Sequence, residues 1–204
     1  MSTFFTIIGL MFFAAIVWGI CKGVAESNQH KEQGQALASI PDFRPVVQFN
    51  GASGGAGVAI DPANNKFAIT SRANTRVFSF TDLVAVEVLK NGSSLTKTNR
   101  GSQVAGAAVG AVLLGPLGLL LGGVTGSKRN IEKVDRLSLK IFTNDLVTPV
   151  HEVVFFGGPQ SKPDSLLVKQ GAQQLDEWHG RFQTILHMRT NTTNNAAPIP
   201  AIEI

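Results

Sequence analysis

Arg76-Val77-Phe78-Ser79-Phe80-Thr81-Asp82-Leu83-Val84-Ala85-Val86-Glu87-Val88-Leu89-Lys90 runs in a period of two, breaks once at Thr81-Asp82, and closes at Asn91-Gly92. Strand side chains alternate between faces, so alternation rich in aromatic and β-branched residues predicts two consecutive strands, Arg76–Phe80 and Leu83–Lys90. Asp82 reads as a turn cap between them. Glu87 points to a different face from Asp82, so the two carboxylates are not an acid–base pair.

The same period extends outward in both directions. Upstream, Val46-Val47-Gln48-Phe49 is strand-like. Val58–Asp61 and Lys66–Thr70 flank Pro62-Ala63-Asn64-Asn65, a turn composition that predicts a hairpin. Downstream, Leu137–Phe142 alternates into a Thr143-Asn144-Asp145 turn, and His151–Phe156 reads as a last strand stopped by Gly157-Gly158-Pro159. The period then becomes 3.6. Leu167, Gly171, Leu175, Trp178, Phe182 and Ile185 draw one apolar stripe on a helix from about Asp164 to His187, with Asp164 and Ser165 as N-cap candidates.

One segment interrupts this β pattern. Between Arg100 and Lys128 there is no charged residue, and Gly106, Gly110, Gly115, Gly118, Gly122, Gly123 and Gly126 punctuate a run of Ala, Val and Leu. Gly106/Gly110 and Gly118/Gly122/Gly126 repeat every fourth residue, the small-residue spacing that lets helices approach closely inside lipid. Strands on both sides belong to one domain, so both ends of the segment belong on one side of a membrane. Pro116 supplies the break. Two arms, about Val104–Leu114 and Leu117–Thr125, are each too short to cross and predict a re-entrant hairpin. Lys97 and Arg100 before it, and Lys128 and Arg129 after it, are placed to meet anionic headgroups.

A second apolar run, Thr3 to Cys21, carries no charge and is long enough to span a bilayer. No basic residue precedes it and Lys22, Lys31 and Arg44 follow. That asymmetry predicts a retained anchor with the amino terminus outside and the remaining chain cytoplasmic, at the plasma (inner) membrane. The 204 residues and net charge of +4 allow one domain plus membrane elements. The basic residues have no interleaved aromatic platform, which argues against nucleic acid as a partner. The single cysteine, Cys21, excludes an intrachain disulfide.

The order of strands, the final Trp-bearing helix, and the segment Val77 to Val88 resemble bacterial PH-like domains, in which an aromatic strand runs through an Asp-hydrophobic step into the next strand. The resemblance covers Phe43 to about Met188. It implies a β-sandwich or partly open barrel capped by a helix, often membrane-associated, used for binding and without chemistry of its own. This chain departs from that pattern by its glycine insertion. The early loop Gly51-Ala52-Ser53-Gly54-Gly55-Ala56-Gly57 also lacks basic residues, so the resemblance does not extend to phosphoinositide binding of the eukaryotic kind.

Residues that could carry catalysis form no recognisable constellation. The Gly51–Gly57 loop leads into a strand-like run and not a helix, so no helix N-terminus awaits a phosphate. His30, His151, His179 and His187 lack metal-pair spacing and read as exposed or satisfied. No Gly-x-Ser-x-Gly elbow is present.

The fold class expected is therefore mainly β with a C-terminal α-helix: a PH-like sandwich or partly open barrel, plus an N-terminal transmembrane helix and an inserted glycine-rich helical hairpin. Residues 1–24 form the anchor and 25–42 a polar connector. The PH-like domain covers 43–188 with its glycine-zipper insertion at 101–127, and 189–204 form a disordered tail. The expected function is non-enzymatic binding or assembly at a membrane, envelope-associated or prophage-encoded, with no cofactor and no metal. The partners expected are the lipid bilayer, further copies of the chain and a protein of unknown identity. The alternative is an oligomeric pore, for which the insertion offers no ionisable lining.

Overall fold

The structure is a computed structural model that describes residues 34–71, 74–99 and 133–194, together with positions 11, 13, 14, 16–19 and 31. The first sheet is an antiparallel meander of β1 (Val47–Phe49), β2 (Gly57–Asp61), β3 (Lys66–Thr70) and β4 (Thr75–Ser79) in that spatial order. Asp61 builds its central turn. Its buried carboxylate accepts the Arg44 N–H at 2.7 Å, the Asn64 N–H at 3.2 Å and the Asn64 side-chain amide at 2.8 Å. Burial pushes the Asp61 pKa upward, but the hydrogen bonds from Arg44, Asn64 and Ala63 outweigh it and hold the group below the usual carboxylate value.

The opening stretch turns the chain from one sheet to the other. A single 3-10 turn, Phe80–Asp82, joins β4 to β5 (Leu83–Lys90), and Asp82 caps it by accepting the Ser79 N–H at 2.9 Å. Ser79 Oγ accepts the Thr81 N–H in return, which completes a capping box. The second sheet contains β5, β6 (Ser93–Asn99), β7 (Val134–Thr143) and β8 (Val150–Ser161), ordered β6-β5-β7-β8 and antiparallel throughout.

Between the sheets lies the core, where Val58, Ile60, Phe67, Ile69 and Phe78 meet Leu83, Val86, Val88, Leu139, Ile141 and Val153. The final helix, α1 (Leu166–Asn194), adds Val168, Ala172, Leu175, Trp178, Phe182 and Ile185 to the same core. The Phe182 ring meets the edge of Phe67 on the first sheet with centroids 5.6 Å apart. At its amino-terminal end α1 touches β8, and further along Gln183 donates to Thr98 Oγ1 on β6 at 3.2 Å. The helix thus crosses the second sheet from one edge strand to the other.

Several sequence expectations are corrected. Ser93–Asn99 is a strand, although it contains only Leu95 among large apolar residues; as an edge strand it has little apolar surface to bury. The last strand does not stop at Gly157. It continues to Ser161 through register shifts against β7, and Pro159 is tolerated because β8 is an edge strand. Leu167 is exposed, and the buried stripe begins at Val168. The helix extends past His187 to Asn194, so the part of the predicted disordered tail before residue 195 is helical. Extending an existing helix adds a hydrogen bond per residue without a new nucleation cost.

The connector is more than a tether. Residues 34–38 are helical, and Leu37 and Phe43 pack with Ala59 and Ala68 on the other face of the first sheet. The small side chains at 59 and 68 let that segment lie close, so β2 and β3 are covered on both faces.

Among the described residues no helix is long and apolar enough to cross a membrane. The expected anchor is described only at scattered helical positions, where Met11, Phe13, Ile16, Val17 and Trp18 are exposed.

Candidate membrane-facing site

Of the residues singled out from the sequence, Lys97 is described. Gly106, Gly110, Gly118, Gly122, Gly126, Pro116, Arg100, Lys128 and Arg129 lie outside the described residues. What the structure does place is the pair of strands that hold the two ends of the insertion. Asn99, the last residue of β6, pairs with Ala85 near the start of β5. Leu137 pairs with Lys90 at the other end of β5, and β7 begins beyond it. Both β6 and β7 run antiparallel to β5, hence parallel to each other with β5 between them. The chain leaves the sheet at one end and returns at the other.

The return point is fastened by Asn91 in the β5–β6 turn. Its side chain donates to Lys133 O at 2.7 Å and accepts from the N–H of Asp135 at 3.0 Å. The Asn91 N–H donates to Arg136 O at 2.9 Å. Asn91 takes φ 51, a left-handed conformation that Asn tolerates better than most residues.

At the departure end, Lys97 extends its ammonium over the Phe142 ring, 5.0 Å from the centroid. Phe142 pairs with both Ala85 and Val150, so β5, β7 and the start of β8 meet here. The turn from β7 to β8 belongs to this same end. Asp145 organises it: one carboxylate oxygen accepts the N–H of Val147 at 2.8 Å and of Thr148 at 3.2 Å. The other pairs with Arg76 on β4. The Val147 N–H above all, with help from Thr148 and Arg76, holds the Asp145 carboxyl below the usual carboxylate range. His151 stands beside this pair, its ring 5.3 Å from that of Phe78. Burial first, then the Arg76 charge, lowers its pKa.

A concavity lies along the edge strand β8. Phe155, Phe156 and Gly157 of β8, Ala52 of the glycine-rich loop, and Leu167, Gln170, Gly171 and Gln174 of α1 enclose an open groove of about 630 Å³. Its floor exists because Gly171 lets α1 press against β8. Its polar side chains are the amides of Gln170, Gln173 and Gln174 and the carboxylate of Glu177. Among the described residues no three His, Cys, Asp or Glu side chains gather as a metal site. His179 is neither exposed nor satisfied: it is buried in α1 with Nε2 unpartnered, and burial lowers its pKa to about 4.

Two antiparallel four-stranded sheets closed by a C-terminal helix, with an uncharged glycine-rich insertion between parallel strands, define a PH-type domain with an inserted glycine zipper. The model of the family described as glycine zipper containing PH domain matches residues 46–157, more than half of the chain, and the chain belongs to that family. The immunity protein of Bacillus phage SPbeta is 26% identical over 115 residues, covering 52% of this chain and 55% of that protein. The SPbeta prophage-derived uncharacterized membrane protein YomJ of Bacillus subtilis (strain 168) is also 26% identical over 115 residues, covering 52% of this chain and 49% of that protein. The chain thus spans about half the length of these curated relatives. No solved structure matches it.

Proposed function

We propose that this protein is a membrane-anchored, non-enzymatic binding and assembly protein whose PH-type domain is held against the cytoplasmic face of the plasma membrane by its glycine insertion. The observation that carries the reading is the position of the uncharged block 101–127 between two strands of one sheet. A folded sheet cannot be divided between two compartments, so a block that enters lipid must come back to the side it left.

The strand geometry is compatible with that return. From Ala85, opposite Asn99, to Lys90 and Asn91 at the other end of β5 is about 20 Å at strand rise. The polar stretch 128–133, fully extended, reaches about 20 Å. It is long enough to bring the chain back along the sheet while the apolar block stays at the departure end. The glycine faces Gly106/Gly110 and Gly118/Gly122/Gly126 then allow the arms to pack together or against neighbouring copies.

Two relatives supply the setting. One is named an immunity protein of a phage and the other a prophage-derived membrane protein. Carried to this chain, those names support a prophage-encoded immunity role exercised at the membrane.

The test separates the insertion from the amino-terminal run. A chain beginning at residue 25 should stay with the membrane after an alkaline wash. The same chain with 101–127 replaced by a Gly-Ser linker should be released. Release of both would remove the insertion as a membrane element.

A further inference from the structure

We infer that the β7–β8 hairpin tip, Leu146-Val147, is a lipid-inserting wedge that seats the departure end of the sheet in the bilayer beside the glycine block; this rests on the reading that the block enters lipid.

Leu146 is 99% exposed and Val147 87% exposed. Single exposed aliphatic residues are ordinary on a protein surface, but here two follow in succession at a turn tip, and Val84 and Val150 at the same end of the sheet are exposed as well. The occupant follows from what shares this end of the molecule. Thr143 pairs with Leu83, and Phe142 and Asn99 lie on either side of Ala85. Asn99, from which the chain runs on into the uncharged block, therefore lies at the same end of the sheet as the tip, and lipid that takes up the block would lie beside the tip.

Most backbone N–H groups of the turn are paired within the protein, which suits a shallow seat at the lipid interface. A segment entering lipid must satisfy its polar groups from within, at several kcal/mol for each that is left unpaired. Here the N–H groups of Val147 and Thr148 donate to Asp145, that of Thr143 to Pro149 O at 2.8 Å, and that of Asn144 to Asp82 O at 2.7 Å. Pro149 has no N–H. The two acids nearby are engaged as well, Asp145 with Arg76 and Asp82 with the Ser79 N–H. Lys97, exposed above Phe142, is positioned to meet the headgroups of an anionic leaflet.

The experiment uses the full chain with Cys21→Ser and one new cysteine, at Leu146, Leu119 or Gln160. Each variant carries an environment-sensitive nitrobenzoxadiazole label and is reconstituted in phosphatidylethanolamine–phosphatidylglycerol vesicles. Leu146 is fully exposed, so its replacement leaves the fold undisturbed, and Gln160 reports the opposite end of β8. The labels at Leu146→Cys and Leu119→Cys should shift to the blue and be quenched by shallow nitroxide lipids, with the label at Gln160→Cys quenched by aqueous iodide. Iodide quenching at 146 with lipid quenching at 119 would overturn the wedge alone. Shielding of 146 from both quenchers would mark a protein contact and also overturn it. Iodide quenching at 119 would overturn the underlying reading, whatever 146 shows.

Discussion

Gly171 and Gly180 lie on the same helix and answer to opposite forces. A Cβ at Gly171 would stand 2.8 Å from Phe156 Cβ and 3.0 Å from Phe155 O, whereas one at Gly180 meets nothing within 4 Å. Alanine is favoured over glycine in a helix interior by about 1 kcal/mol. Gly180→Ala should therefore raise stability by about 0.5–1 kcal/mol. Gly171→Ala should lower it by about 1–3 kcal/mol, because backbone and Cβ atoms cannot step aside as a side-chain end would. Denaturant midpoints of the two variants check the pair, and equal signs would refute it. The sequence placed Gly171 on the apolar stripe but could not show how near β8 comes. That closeness depends on register and helix docking, which no local pattern encodes.

His179 supplies the largest part of the pH dependence. Its folded pKa, about 4, lies below its ordinary value of 6.5, so between those values the unfolded chain binds the extra proton. Stability is complete above about pH 6.5 and declines as pH falls toward 4, by roughly 3 kcal/mol in all. Asp61 acts in a lower window: its contribution is present above the ordinary value of 3.8 and is lost as pH falls through the lower folded value. His179→Leu should remove its own share of the decline above pH 4, leaving the smaller share of His151, whose pKa burial also lowers, and the Asp61 loss in place. Chemical unfolding at about pH 7 and about pH 4.5 reads the difference, and an unchanged slope in the variant would count against it.

At the scale of elements, the order of strands was legible because a period of two survives wherever one face of a strand is buried. Leu83–Lys90 appears as the sequence predicts, whereas the strand expected at Arg76–Phe80 is Thr75–Ser79, because Phe80 opens the 3-10 turn that ends at Asp82. β6 escaped because Ser93-Ser94-Leu95-Thr96-Lys97-Thr98-Asn99 pairs through its backbone and buries little. Only its Thr content hinted at a strand. The connector's packing was written in Leu37, Ile40 and Phe43, whose spacing of three was hidden among polar neighbours. Of the candidate site, the glycine spacing and basic flanks were readable, whereas the hairpin tip was not, since Leu146-Val147 reads as a strand fragment until Asp145 is seen closing the turn. Asn91 gives this scale its prediction. Asn91→Ala removes the side-chain bonds that fasten the start of β7 and strains a left-handed residue, so it should cost about 1–3 kcal/mol. Asn91→Gly should lose less, since it relieves the backbone. Similar losses in both would show that conformation contributes little.

For the whole molecule, two sheets and a closing helix make one frame, and the glycine-rich sequence is inserted between its parallel strands β6 and β7. The strands flanking the block meet opposite ends of β5, and under the proposed function both flanks lie on one side of the membrane. The frame also places Leu146-Val147 at the departure end, the face proposed to meet lipid. If the glycine faces bring copies together, Gly118→Leu with Gly122→Leu should abolish cross-linked oligomers in membranes while leaving the domain folded. Cross-linking that persists would assign assembly to another surface.

Impermeant maleimide labelling of single cysteines at Ser94, Leu119 and Asn130, in a Cys21→Ser background, tests the central claim most directly. Ser94 and Asn130 should react from the cytoplasmic side alone, and Leu119 from neither side. Reaction of Ser94 and Asn130 from opposite sides, or of Leu119 with the aqueous reagent, would contradict the account.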